Sequence, residues 1–358
     1  MLYFVYHSSF FPTSSEEELG KLAEFFIIDR SVNVMIVESE SDLCGLVERK
    51  KPVFIYGAFA LIRKGRISKT NYLKSIYKVA KSAVSSARPG KDPILLECFN
   101  INNRTQYSAK DIEVKIGGML NEDGYNAEIL SPKYFLYFVL LNGTCYSGIK
   151  KIDAAWQRPL NPLRRYMNEK KISRAEFKIR EAFEEFGIKG KGTAIDIGAA
   201  PGGWSFFLAT HNYGVIAIDT ANLSCKDMRT HGARVAVLKN KGKFSTPKTG
   251  SILHIKSRSE NMHERIPKNS VSLLVDDMNI SPKESASIAV SYAKFLKPGA
   301  ELIFTVKCIS RNAPRFINEA KSALRPKFVV KGVRALPSNR QEVTLYAVCK
   351  GNFKTAKL

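Results

Sequence analysis

The chain is short of acid. Against 56 Lys+Arg it carries 33 Asp+Glu, a formal net charge of +23 over 358 residues. That imbalance argues against a neutral scaffold and points to a polyanionic partner, nucleic acid first. No apolar run approaches the ~20 residues that a membrane-spanning helix needs. A strongly amphipathic basic helix and a lipidation signal are also missing, which argues against a membrane surface as the partner. The six cysteines (Cys44, Cys98, Cys145, Cys225, Cys308, Cys349) contain no C-x-x-C pair. Zinc and redox motifs are therefore not expected, no metal site is expected, and the thiols read as reduced residues of a cytoplasmic protein. The opening MLYFVYHSSFFPTSSEEE has no basic stretch before its apolar start and soon turns acidic, so a signal peptide is not expected. There is no internal repeat, and a 44% hydrophobic content suffices for ordinary globular cores.

The length predicts two or three domains. Residues 1–75 read as a small α+β unit: LYFVYHS a strand, SEEELGKLAEFFI a helix, NVMIVES and PVFIYGAFALI further strands. Residues 76–150 read as a second α+β unit. KSIYKVAKSAVSSA is helical in pattern, PILLECFNI a strand, and SAKDIEVKIGGMLNEDGY a helix with a serine N-cap. AEILSPKYFLYFVLLNGTCYSGI gives paired strands around an Asn142-Gly143 turn. Residues 151–172, with Pro159, Pro162 and several basic residues, read as a linker. Arg164, Arg165, Lys170 and Lys171 there, Arg174 just beyond, and Arg63, Lys64 and Arg66 upstream are candidates for phosphate contact. The tract KNKGKFSTPKTG is a further basic loop.

From residue 173 to 358 helices and strands alternate. SRAEFKIREAFEEFG is a helix with Ser173 and Glu176 spaced as a capping box. TAIDI, GVIAI, ARVAV, SILHI, VSLLV, ELIFTV, KFVVKG and EVTLYAVC are strand candidates. The pattern predicts a doubly wound, mostly parallel sheet of Rossmann-like type, with ligands at the carboxyl edge of the strands. Within it, TAIDIGAAPGGWSFFLA (193–209) runs from strand through a glycine-rich turn into an apolar helix. Such a turn brings bare backbone to a ligand at a helix N-terminus. Asp219 closes the next strand, where a carboxylate can accept from ribose hydroxyls. The spacing is not that of G-x-G-x-x-G, and a glycine-rich turn alone fits any α/β protein.

The full string with Pro201, Gly202, Gly203 and Trp204 is narrower. It resembles the S-adenosylmethionine (SAM) loop of the FtsJ/RrmJ-like RNA 2′-O-methyltransferases. Four polar residues extend the resemblance: Lys178 in SRAEFK, Asp277 in DDM, Lys307 in FTVK and Glu342 in NRQEV. Each alone reads blandly, as a helix-surface lysine, a strand-capping aspartate, a terminal lysine or an edge glutamate. In this order they resemble the family's Lys-Asp-Lys-Glu tetrad. Asp276 and Asp277 compete for the acid role, and the family's acid directly precedes Met, which selects Asp277. The resemblance implies SAM as cofactor, held by Asp196, Gly198, Ala199, Pro201, Gly202, Gly203, Trp204, Asp219, Asp276 and Asp277. It implies a catalytic set of Lys178, Asp277, Lys307 and Glu342, with Lys307 as base, and RNA rather than DNA as partner.

Residues 76–150 resemble a THUMP module through Ile116-Gly117-Gly118, the Ser-Pro-Lys break and the Cys-Tyr-Ser-Gly strand, and residues 1–75 a ferredoxin-like domain. The whole order resembles RlmM-like ribosomal RNA methyltransferases. One segment departs from them. They carry an acid after the SILHI-type strand, where adenine binds, whereas this chain reads Lys256-Ser257-Arg258. That leaves the adenine contact to Asp276 or a backbone group. A ribose 2′-hydroxyl is a poor acid, and a lysine serves as its base only if burial or a neighbouring cation lowers its pKa. Three alternatives stand beside ribosomal RNA 2′-O-methylation: the same chemistry on transfer RNA, a non-catalytic RNA-binding protein with a relict fold, and base methylation. The last needs a catalytic cysteine or an Asn-Pro-Pro-Tyr-type loop, where this chain has DDMNISP.

Overall fold

In the computed structural model, Met1–Leu160 and Asn161–Leu358 form separate units. The structure describes residues 1–101, 105–152, 173, 175–230, 232–238, 245–262, 266–309 and 312–350. The first unit begins β1 (Leu2–His7), α1 (Pro12–Leu22), β2 (Phe26–Ser31), β3 (Val34–Glu38), α2 (Leu43–Lys50), β4 (Ile55–Leu61). Its strands are antiparallel in the order β2-β3-β1-β4. The helix expected over SEEELGKLAEFFI differs: it starts at Pro12 and stops at Leu22. The segment from Phe26, with its β-branched Ile27 and Ile28, pairs along β3 instead.

The same unit continues β5 (Arg63–Arg66), α3 (Tyr72–Ala87), β6 (Pro93–Ile101), α4 (Ala109–Glu122), β7 (Asn126–Ala127), β8 (Tyr134–Leu141), β9 (Thr144–Lys151). These strands form a second sheet, β5-β9-β8-β6-β7, in which Arg63, Lys64 and Arg66 are exposed on the edge strand. Ser108 caps α4 in a reciprocal capping box with Asp111. Asn142 and Gly143 take φ of 45° and 78°, the two positive values that a tight hairpin turn between β8 and β9 requires. Phe4 and Ile36 of the first sheet and Phe135 and Val139 of the second bury into one cluster.

The second unit runs α5 (Ala175–Phe186), β10 (Gly192–Ile197), α6 (Gly203–Thr210), β11 (Tyr213–Asp219), α7 (Cys225–Thr230), β12 (Arg234–Val237), β13 (Ser251–Lys256), β14 (Val271–Asp276), α8 (Pro282–Tyr292), β15 (Leu296–Lys307), α9 (Ala313–Leu324), β16 (Phe328–Arg334), β17 (Glu342–Cys349). All the strands expected after residue 173 form one sheet, ordered β12-β13-β11-β10-β14-β15-β17-β16. Its pairs are parallel from β12 to β15 and antiparallel through β17 and β16. Val215, Ile216, Ala217 and Ile218 are all buried, as a strand covered on both faces requires. The direction of winding reverses between β10 and β14. In such sheets ligands sit at that switch point, beyond the carboxyl ends of the strands.

The capping box expected at Ser173 does not form. The Glu176 amide donates to the Ser173 backbone carbonyl at 3.2 Å, and the Glu176 carboxylate faces Arg180 at 3.3 Å. The Ser173 hydroxyl lies where a side chain on Gly203 would stand and makes no hydrogen bond among the described residues. Among the described residues no helix is long and apolar enough to cross a membrane.

Candidate active site

Four charged side chains converge at the carboxyl edge of the sheet. Asp277 follows β14, Lys307 ends β15, and Glu342 opens β17, where the antiparallel register sets it directly beside Lys307. Lys178 reaches them from the first turns of α5. Lys307 Nζ donates to Asp277 Oδ1 at 2.6 Å and to Glu342 Oε2 at 2.7 Å. Lys178 Nζ lies 3.3 Å from Asp277 Oδ2 and also pairs with Glu342 Oε1. The result is a closed ring of alternating charge, each cation touching both anions. Its side chains are between 9% and 17% exposed, so screening is weak but a reactant can still approach.

The ring changes one expectation. A base needs a lowered lysine, and burial does press Lys307 in that direction. The Asp277 and Glu342 carboxylates together outweigh burial and hold Lys307 above its ordinary range. As it stands, the ring keeps Lys307 an ammonium ion.

Beside the ring lies a cleft of about 450 Å³ bounded by the ends of β10, β11, β13 and β14. Gly198, Asp219, Glu260, Asp277 and Met278 are among its walls. The amides of Gly198 and Ala199 donate to Ile218 O at 3.0 and 3.3 Å, and that of Ala200 to Asp219 Oδ2 at 2.9 Å. The loop is thus stitched to β11, and Asp219 is fixed at the cleft wall by a second bond from the Ala221 amide at 2.7 Å. Gly202 adopts φ +110°, and a Cβ there would overlap the Met228 methyl. Gly198, at φ +73°, packs against Met278 so closely that a Cβ would stand 2.9 Å from its Cγ. Both glycines are thus required by the close approach of a methionine side chain.

Asp196 and Asp276 sit behind the cleft. Asp196 accepts from Ser205 Oγ at 2.6 Å. Asp276 accepts from Ser285 Oγ at 2.8 Å and from the Met278 amide at 3.0 Å. Both are buried, and neither lines the cleft. Burial pushes Asp196 up to about 8 and Asp276 up to about 7, against the pull of these hydrogen bonds. Each therefore keeps its proton in the folded state at a pH where an unfolded carboxyl, near 4, has lost it. Stability attributable to these groups is unaffected below pH ~4 and falls as pH rises toward the folded values. Asp196→Asn, which leaves an acceptor for Ser205, is expected to shrink the loss of unfolding free energy between pH 5 and pH 8 by about 1–3 kcal/mol. Denaturant titrations at the two pH values check this, and an unchanged slope contradicts it.

The sequence-derived residues thus fall into layers. Lys178, Asp277, Lys307 and Glu342 meet in the ring, and Gly198, Asp219 and Asp277 line the cleft. Ala199, Pro201, Gly202 and Gly203 complete the loop and the start of α6. Trp204 is buried and donates from Nε1 to Ala175 O at 2.7 Å, which fastens the loop's helix to the helix bearing Lys178. Arg164, Arg165, Lys170, Lys171 and Arg174 lie outside the described residues, as do residues 239–244 of the second basic tract.

Glu260 went unrecognised in the sequence. It stands in a single 3-10 turn (Ser259–Met262) after β13 and lines the cleft beside Arg258. An acid is therefore present near the β13 edge, displaced along the chain by that turn. SRSEN carried the signal, but only at a spacing that the turn explains.

The family model described as FtsJ-like methyltransferase matches residues 172–354. Ribosomal RNA large subunit methyltransferase M of Sodalis glossinidius is 26% identical over 233 residues, 61% of this chain and 57% of that protein. Uncharacterized protein MJ1257 of Methanocaldococcus jannaschii is 31% identical over 151 residues, 41% of this chain and 37% of its own. The chain thus spans between 37% and 57% of the length of these curated relatives. The solved structure of TrmN from Thermus thermophilus overlays 98% of this chain and 100% of its own at a TM-score of 0.40 and 11% identity. The chain belongs to the FtsJ-like methyltransferase family, and S-adenosylmethionine is its cofactor.

Proposed function

We propose that this methyltransferase modifies the ribose 2′-hydroxyl of structured RNA, with large-subunit ribosomal RNA as the substrate. The observation that carries the chemistry is the closed Lys178–Asp277–Lys307–Glu342 ring at the mouth of the cofactor cleft. Two cations and two anions, partly buried and mutually bonded, suit a weakly acidic hydroxyl that must be oriented and relieved of its proton. The ribosomal RNA methyltransferases among the relatives support the substrate, as does the charge of +23.

The cleft fits the cofactor: its size lies in the range of small-molecule sites, and the Asp219 and Glu260 carboxylates on its walls offer acceptors for hydroxyl and amine donors. Asp219 would accept from the ribose hydroxyls, Glu260 would accept from the adenine amine, and Gly198 would lie beside the amino-acid end. When bound, SAM supplies a methyl group on a cationic sulfur. Lys178 and Asp277 hold the RNA ribose. A hydroxyl that takes over one carboxylate bond of the ring weakens the field that keeps Lys307 protonated. Lys307 then gives up its proton to solvent, the neutral amine receives the hydroxyl proton as the oxygen takes the methyl group, and Glu342 holds the resulting ammonium.

The first unit, with its exposed Arg63, Lys64 and Arg66, serves as the RNA-binding part, a ferredoxin-like and a THUMP-like module across residues 1–75 and 76–150. Residues 151–172 link it to the methyltransferase domain at 173–358, with Arg164, Arg165, Lys170, Lys171 and Arg174 touching phosphates. The enzyme acts in the cytoplasm. Incubating the protein with labelled SAM and separated ribosomal and transfer RNA tests the substrate. Label confined to ribosomal RNA is expected, and label confined to transfer RNA contradicts it. Glu260→Gln is expected to weaken SAM and S-adenosylhomocysteine alike by about tenfold, the scale of one hydrogen bond to a charged group. Titration calorimetry checks this, and an unchanged affinity removes Glu260 from the adenine site.

A further inference from the structure

The face of α5 that carries Lys178 continues as a half-buried polar seam. Glu181 and Glu185 follow at three and seven positions, the spacing that places side chains on one side of a helix. Glu185 faces Arg334, at the end of β16, at 3.4 Å. Glu181 is 4% exposed, and its carboxylate takes two bonds from one residue. The Ser338 amide donates to Oε2 at 2.9 Å, and the Ser338 hydroxyl to Oε1 at 2.7 Å. Ser338 stands in the connection between β16 and β17, four residues before Glu342. A second tie lies at the far end of that connection, where the Cys308 amide, next to Lys307, donates to Gln341 O at 2.8 Å. The connection is thus held at its middle by α5 and at its end by the residue that follows β15.

We propose that Glu181 is a positioning residue for the methyl-transfer reaction: by gripping Ser338 it sets the placement of Glu342, and with it the ring. The inference rests on the reading of the ring as the catalytic centre. A buried carboxylate is costly to hold without partners, and here two donors come from a connection whose other anchors are the Cys308 amide on Gln341 O, the Asn339 side chain on Thr344 Oγ1 and the buried Leu336. Lys178 and Glu181 lie on the same helix face, so one rigid element fixes one ring cation directly and one ring anion through its connection. Catalytic groups need placement to a fraction of an ångström, and a drift of about 1 Å costs on the order of 10²-fold in rate.

The test is Glu181→Gln in the full-length protein, with total RNA and labelled SAM. Glutamine has one acceptor oxygen, so it serves one of the two Ser338 donors and sets its amide against the other. The expected result is a fall in kcat of about 10- to 100-fold, with SAM affinity unchanged because Glu181 does not line the cleft. The pH profile supplies a readout that a merely structural role would not move. Lys307 is raised by Asp277 of the β14 edge and Glu342 of β17, with Lys178 of α5 sharing both. A displaced Glu342 relaxes that hold, so the acid limb of kcat/KM shifts to lower pH. Glu185→Gln, farther along the seam, serves as the comparison, with stability lost and the limb unmoved. If Glu181→Gln lowers only stability, with kcat per folded molecule and the acid limb as in the wild type, the positioning role is overturned. Lys307→Ala run in parallel separates the two claims. Full activity in that variant removes the ring reading itself, whereas an inactive Lys307→Ala beside a normal Glu181→Gln removes only the clamp.

Discussion

Lys307→Ala is expected to lower methyl transfer by at least about 10²-fold, and up to about 10⁴-fold, while SAM binding stays within about twofold of the wild type. The range is that of a positioned proton-transfer group. Lys307 Nζ bonds both ring carboxylates, at 2.6 and 2.7 Å, so its loss removes the proton acceptor and half of the ring's positive charge at once. Asp277 and Glu342 are left with Lys178 alone. Breaking a fully buried pair costs about 3–5 kcal/mol, and these groups retain some solvent contact, so the cost here is smaller and the chain stays folded. The cleft keeps its loop, Asp219 and Glu260, because none of them touches Lys307. Steady-state rates with RNA, beside calorimetric SAM titration, check the separation. A parallel loss of binding and rate would mean that the substitution collapses the edge of the sheet.

Gly202→Ala is expected to do the reverse, with cofactor affinity and folding failing together. The position adopts φ +110°, which an alanine reaches only at a cost on the order of 1–3 kcal/mol. The new methyl also enters the space of the Met228 side chain. Met228 is fully buried in the core beneath the loop, and overpacking there costs about a further 1–3 kcal/mol. Together these are a large part of an ordinary domain's stability. The loop must move, and the Gly198, Ala199 and Ala200 amides then lose their alignment on β11. Thermal unfolding and SAM titration of the variant check this. A stable protein with normal SAM affinity would contradict the crowded geometry.

The sheet of the second unit was legible because each strand is a short apolar block bounded by turn residues, and parallel strands buried on both faces read that way. The ring residues were legible only as a set, because their order resembles the family's Lys-Asp-Lys-Glu tetrad, whereas each alone reads blandly. Contacts across sequence distance were not. Nothing in the string separates Asp276, turned inward to Ser285 and the Met278 amide, from Asp277, turned outward to two lysines. Only the family pattern chose between them. Asp196 looked like a cofactor ligand by its place before the glycines, but alternation along β10 sends it to Ser205 instead. Glu181 read as one more polar residue on a helix, because its partner lies 157 positions away. The lysine-lowering environment expected for the base was the reverse of what the ring provides, since summed fields of neighbours cannot be counted from spacing. In the first unit, Phe26-Ile27 at the end of the expected helix fits helix or strand equally, and pairing with β3 decided it.

The central claim is that the ring moves a methyl group onto a ribose oxygen. Its most direct test is nucleoside analysis of RNA labelled from SAM by the wild type and by Lys307→Ala. The account predicts label in a 2′-O-methylnucleoside from the wild type and none from the variant. Label on a base, or undiminished ribose label from Lys307→Ala, would contradict it.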